Sequence, residues 1–156
     1  LIELMTVLVI VAVLLIIAVP SYSVLSLRTK LKSYANELVA SVYLARGEAI
    51  KRNAPMRMCI SADGSTCVGG GDWEQGWIVM DQDDVVIRHQ QALSSGIKIF
   101  ELSSVDTMTF QPSGILNTPA IMTVCQDSPS EGIEEREVSF STTGRHTMKT
   151  TQAGCP

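Results

Sequence analysis

The chain of 156 residues predicts an α+β fold, in which one long N-terminal helix packs against a small antiparallel β-sheet head. Three observations point there. Residues 1–20 are an apolar run carrying one charge, Glu3, and ending at Pro20. From Ser21 the apolar residues return every three or four positions, the period of one helix face. Beyond Ala54 the pattern breaks into runs of about five residues separated by Gly, Asp, Ser and Pro, which is strand-and-turn punctuation.

The run LIELMTVLVIVAVLLIIAVP is long enough, at about 1.5 Å per residue, to reach across most of a hydrocarbon layer, so residues 1–20 are assigned to a transmembrane half of the helix. Glu3 does not suit a plain anchor. A carboxylate near the bilayer interior costs on the order of 2.5–3.5 kcal/mol even on the lenient insertion scale. A secretory signal is the other simple reading, but the stretch has no basic n-region and no clean small-residue cleavage site before Ser21. Glu3 is therefore expected to find its partner outside its own helix.

Residues 21–53 read as the amphipathic half of the same helix. Leu27, Leu31, Tyr34, Leu38, Val42, Ala45 and Ala49 line one face, the expected docking face for the head. Arg28, Lys30, Lys32, Asn36, Glu37, Arg46, Glu48, Lys51 and Arg52 fall between them and turn to water. Pro20 lies inside the pattern and is expected to bend the helix, because it removes one backbone donor and crowds the preceding turn. Asn53 and Pro55 supply the stop. The helix so defined runs for roughly 50 residues, about 75 Å.

Residues 54–156 suffice for one small domain. Strands are expected at Met56–Ile60, Gly76–Met80, Val85–Gln90, Ile97–Leu102, Thr107–Gln111, Ile121–Cys125, Glu137–Ser141 and His146–Lys149, meandering in one sheet or a pair of small sheets. Four cysteines in such a domain imply two disulfides and an oxidising compartment, with three pairings open. The pairing expected is Cys59 with Cys67, closing a short loop through Asp63-Gly64, and Cys125 with Cys155. Zinc is the rival, but C-x-x-C spacing and a neighbouring histidine are both lacking.

Charge is divided unevenly. Seven cations face two acids along residues 21–57, whereas from Met58 onward five cations face thirteen acids. No catalytic motif, cofactor or metal site is expected. His89 and His146 have no nucleophile beside them, and Gly69-Gly70-Gly71 lacks the lysine and hydroxyl residue of a phosphate loop. Asp81, Asp83 and Asp84 miss the glycine and distant glutamate of a helix-loop-helix calcium loop and read as an acidic hairpin turn. Trp73 and Trp77 are expected against the helix or in the core, with surface contact as the alternative.

The opening Leu1-Ile2-Glu3-Leu4-Met5 resembles the start of mature type IV pilins and type II secretion pseudopilins, F-T-L-I-E-L, entered two residues late. Residues Leu44 to Asn53, Met58-Cys59 and Trp73 to Val79 are similar to the minor pilins called FimU and FimT and the minor pseudopilin GspH; Gly47 stands where many of these carry serine. The resemblance implies a pilin-like fold and a structural, non-enzymatic subunit. Its leader would be cut by a prepilin peptidase, its first residue N-methylated, and its helix stored in the inner membrane with the head in the periplasm. The helix would then enter an extracellular pilus, near the tip, beside other minor pilins and the major pilin. Glu3 would pair with the N-terminal amine of a neighbour, and Glu3 and Pro20 would be assembly residues. The basic part of the stem would face acidic heads of adjacent subunits or simply water. Some FimT relatives hold DNA through a G-R-x-R pattern; here the aligned residues are Gly144-Arg145-His146-Thr147, with Lys149 beyond, and the second arginine is missing. Arg145, His146 and Lys149 make a thin patch on an acidic head, so DNA is not an expected partner. Export through a type II secretion machine is the alternative role.

Overall fold

The computed structural model describes residues 2–128, 133–152 and 155, with the side chains of residues 17–21 outside that description. Helix α1 runs over Ile2–Arg52, 51 residues. It stops in a Schellman arrangement: Asn53 turns left-handed at φ 50°, Asn53 N–H donates to the Ile50 carbonyl at 3.3 Å and Ala54 N–H to the Ala49 carbonyl at 3.2 Å. Pro55 then commits the chain to β1.

Eight strands follow: β1 (Met56–Ile60), β2 (Trp77–Asp81), β3 (Val86–Gln90), β4 (Ile97–Glu101), β5 (Thr107–Phe110), β6 (Ala120–Gln126), β7 (Glu135–Phe140) and β8 (His146–Thr151). They form two antiparallel four-stranded sheets, ordered β3-β2-β1-β5 and β4-β6-β7-β8. Each expected strand is present, with ends moved by a residue or two. The larger changes are at β7, which begins at the buried Glu135, and at β8, which runs to Thr151 opposite it. Two pairings join strands distant in sequence: β1 takes β5 as its second neighbour, and β4 crosses past β5 to pair with β6.

Both sheets turn an apolar face to the second half of α1. Leu31, Ala35, Leu38, Val42, Ala45 and Ala49 form one buried stripe, joined in a single core by Trp73, Trp77, Met108, Phe110, Met122, Val138 and Phe140. At about 25 cal/mol per Å² of apolar surface, this docking supplies the burial that neither sheet achieves alone. The other face of the first sheet holds a smaller cluster, Cys59, Ile78 and Met80.

Among the described residues no helix is long and apolar enough to cross a membrane. The described apolar side chains run from Ile2 to Ile16, about 22 Å of helix against a hydrocarbon layer of about 30 Å. The remainder of the stretch expected to span falls on residues 17–21, whose side chains lie outside the described residues.

Candidate assembly surfaces of stem and head

From Ile2 to Ile16 the stem is exposed on every side, with Ile2 at 78% and Ile16 at 73%, and Tyr22 and Leu25 are exposed as well. A helix apolar all round has no face to offer water. Glu3 stands exposed in this stretch, and among the described residues no hydrogen bond or ion pair reaches its carboxylate; the Thr6 hydroxyl donates instead to the Glu3 backbone carbonyl at 2.8 Å. Pro20 sits within α1, but its side chain, and with it the expected bend, lies outside the described residues.

On the docked half, Leu31, Leu38, Val42, Ala45 and Ala49 are buried, and Leu27 and Tyr34 are partly buried against the same core. Ala35 and Ser41 belong to this surface too and were not among the residues read from the spacing. Ala35 carries the stripe between Leu31 and Leu38, and Tyr34 flanks it. Ser41 is a buried hydroxyl: it accepts from Trp77 Nε1 at 2.9 Å and donates to the Glu37 carbonyl at 2.8 Å. Trp73 Nε1 donates to the Val105 carbonyl at 3.1 Å, so both indoles are core residues with satisfied N–H groups and neither is a surface contact. Tyr34 accepts the Ser94 N–H at 3.1 Å, and its contacts with Ser94, hydroxyl first, hold its phenol below the usual value.

Part of the basic stem finds acids on its own head. Arg52 Nε donates to Glu48 Oε2 at 2.6 Å and its Nη1 to Asp81 Oδ2 at 3.3 Å, and the Arg52 hydrogen bond is the first cause holding Glu48 below the usual carboxylate range. Arg57 pairs with Asp84, and Arg88 of β3 pairs back with Glu37 of the stem. Asp81 also caps its own turn through Oδ1, which accepts N–H groups of Asp83 and Val85, each at 3.0 Å. Asp81 and Asp84 of the acidic hairpin are thus tied up in capping and ion pairs.

Disulfides join Cys59 to Cys67 and Cys125 to Cys155. Inside the first loop Asp63 Oδ1 accepts from Ser65 N (2.8 Å), Thr66 N (2.9 Å) and Ser61 Oγ (3.0 Å), and Oδ2 from Thr66 Oγ1 (2.8 Å). Donors converging on its charged form, the Thr66 N–H first, hold the Asp63 carboxyl well below the usual carboxylate range. Gly64 beside it, at φ +73°, has the His89 ring where a Cβ would lie, so His89 is a packing residue of this loop.

Arg145 and Lys149 are exposed, but His146 is not a free member of that trio. Its Nδ1 and the Tyr43 hydroxyl share a hydrogen bond at 2.7 Å, with the two rings edge to face at 5.3 Å. The stem residue that lies against this turn, at Gly144, is Arg46. A Cβ on Gly144 (φ +73°) would lie 2.9 Å from Arg46 Cδ, and one on Gly114 (φ +78°) 3.2 Å from Arg46 Nε, so both turns need glycine for the arginine to lie against them.

A long helix protruding from a two-sheet head that clasps its second half is the pilin class of architecture. A family model described as Type II transport protein GspH matches residues 34–144, and the chain belongs to that family, the minor pilins and pseudopilins of the GspH/FimT kind. Among solved structures it is similar to the type IV minor pilin FimU of Pseudomonas aeruginosa PAO1, at 24% identity over 82% of this chain and 97% of that one, with a TM-score of 0.64. It is similar also to the minor pseudopilin EpsH of the Vibrio cholerae type 2 secretion system, at 16% identity over 81% and 99%, with a TM-score of 0.55. No curated protein sequence matches it. Like these neighbours the chain is a structural subunit, not an enzyme.

Proposed function

We propose that the chain is a minor subunit of a type IV pilus, incorporated near the tip and promoting assembly. The observation that carries this reading is the bare first part of α1: Ile2–Ile16 offers apolar side chains in every direction, continuous with a helix whose other half is already sheathed by the head. Lipid covers that surface before assembly, with the head in the periplasm, and the stems of other minor pilins and the major pilin cover it afterwards. A prepilin peptidase releases the stem for this transfer. Glu3, without a partner for its carboxylate among the described residues, pairs with the N-terminal amine of a neighbour and sets the axial position of the helix, while Pro20 marks where the stem leaves the apolar core.

The test is Glu3→Ala in the full-length chain. Membrane insertion is expected to stay intact and the amount recovered in purified filaments to fall; undiminished incorporation would overturn the assignment. The second reading, a minor pseudopilin serving protein export, draws support from the family description itself. Deleting the protein separates the two: loss of pilus display and twitching supports the first, loss of exoprotein release the second.

A further inference from the structure

The two sheets are finished differently on the side away from the stem. The outer face of the first is covered by its own chain: Cys59, Ile78 and Met80 are buried there, Cys67 Sγ of the disulfide loop lies 3.5 Å from Met80 Sδ, and the Val68 N–H donates to the Ile60 carbonyl at 2.9 Å. The second sheet keeps an open face. Burial alternates along its strands, so that Met122 and Val124 point into the core while Phe100 and Ile121 point out. Phe100 is 37% exposed, and Leu102, across from Ile121, is 65% exposed. Aromatic and aliphatic side chains thus meet water on one sheet and not on the other.

β4 is also the edge strand of this sheet. The Leu102 N–H donates to the Ile121 carbonyl at 3.0 Å, so in this antiparallel register the backbone groups of Ile99 and Glu101 point away from β6. Between that edge and residues 70–73 lies a cleft of about 240 Å³, lined by Asp72, Glu101 and Asp106 among others. Asp106 Oδ2 accepts the Gly70 N–H at 2.8 Å and Glu101 Oε2 the Val105 N–H at 2.7 Å, but Glu101 Oε1 is buried with no donor. Asp72, exposed at the start of the single 3-10 turn Trp73–Gln75, makes no capping bond with its side chain. Lys98, the one cation among the described residues lining this edge, is held by Asp127 at 2.6 Å. Carboxylate acceptors therefore outnumber donors here, and an arginine or lysine entering from outside would supply what is missing.

A second copy of this chain is a poor occupant. From Met58 onward it carries thirteen acids against five cations, and three of the five, Arg88, Lys98 and Arg136, are paired with acids of their own chain. Charge complementarity asks for a head of another kind. We propose that the head of a different filament subunit docks on this face, an arginine or lysine of it entering the cleft against Asp72, Glu101 and Asp106 while apolar side chains around that cation cover Phe100, Leu102 and Ile121. The contact rests on the filament-subunit reading and adds a specific lateral neighbour to the packing of stems.

The test places a photoreactive benzoylphenylalanine at Phe100 of the full-length chain, in cells that assemble its filament, and maps the adducts by mass spectrometry. Adducts are expected on the head of one other pilin-class subunit, close to an arginine or lysine. Their yield should fall about tenfold in Asp72→Lys and return when the mapped cation of the partner is replaced by glutamate. If Asp72→Lys loses the wild-type melting curve, Asp72→Asn serves, with a smaller fall expected. Adducts with a second copy of this chain, adducts on a protein that is no filament subunit, or adducts indifferent to the charge reversal overturn the proposal. A photoprobe at Val9 separates failure of this contact from failure of the filament reading: stem adducts without head adducts sink only the contact, whereas absence of both sinks the filament reading and the contact with it.

Discussion

Residues 2–16 and 31–49 belong to one helix and both are rich in aliphatic side chains, yet the first stretch is exposed on all sides and the second hides a single stripe beneath two sheets. Composition alone does not separate them; arrangement does. Lysine, glutamate, asparagine and arginine interleave the second stretch, so a head covering one flank leaves the other content in water. The first has no such flank, and whatever covers it must surround it. One half of the helix is therefore completed by its own chain and the other by something else.

The sharpest way to break this contrast is to place the same charge in both halves. Leu38→Asp, at a fully buried position, is expected to lower the stability of the head by about 4 kcal/mol, whereas Leu8→Asp should leave the stability of the head in urea within about 0.5 kcal/mol of wild type. Equal losses would mean that the two halves are not energetically distinct. Next, replacing Cys125 and Cys155 by serine opens a loop spanning 30 residues and is expected to cost about 3.5 kcal/mol, against about 2.5 kcal/mol for the 8-residue Cys59–Cys67 loop. Near-ultraviolet dichroism of the tryptophans should weaken with heating in both variants while helical signal from the free stem persists. A smaller effect tests the seam between helix and sheet: Ser41→Ala strands the Trp77 N–H and is expected to cost about 1–3 kcal/mol by the same urea titration.

The mildest test is of pH. Asp63 is held below the ordinary carboxylate range when folded, so its contribution is complete above the unfolded value of about 4 and drains away as pH falls through the lower, folded value. Carboxyl chemical shifts of Asp63 should stay in the charged form at pH values below the ordinary aspartate value of about 4, and Asp63→Asn should flatten that part of the acid unfolding profile. A titration at the ordinary value would show that the loop donors do not hold the charge.

Much of this molecule is legible in its sequence. Aliphatic spacing placed the stem and its docked face, and Gly, Asp and Ser clusters bracketed all eight strands, because hairpin turns and helix faces are written locally. Sheet membership was not legible: sending β5 to β1 while β4 passes on to β6 depends on contacts distant in sequence. Ser41 escaped notice because a polar residue on a docking face makes sense only once Trp77 is seen to need an acceptor. Arg46 escaped for a similar reason. In sequence it is one more charge on the wet side of a helix, and only the folded turns at Gly114 and Gly144 show what it packs against.

The route by which the chain enters the head bears on mechanics. The helix ends at Arg52, turns once at Asn53 and passes directly into β1, a central strand of its sheet. Traction on the N-terminal end therefore runs along the helix and meets the two sheets sideways, as shear spread over the stripe from Leu31 to Ala49, many contacts yielding together rather than one ladder unzipping bond by bond. A subunit built this way resists being drawn lengthwise out of its own head.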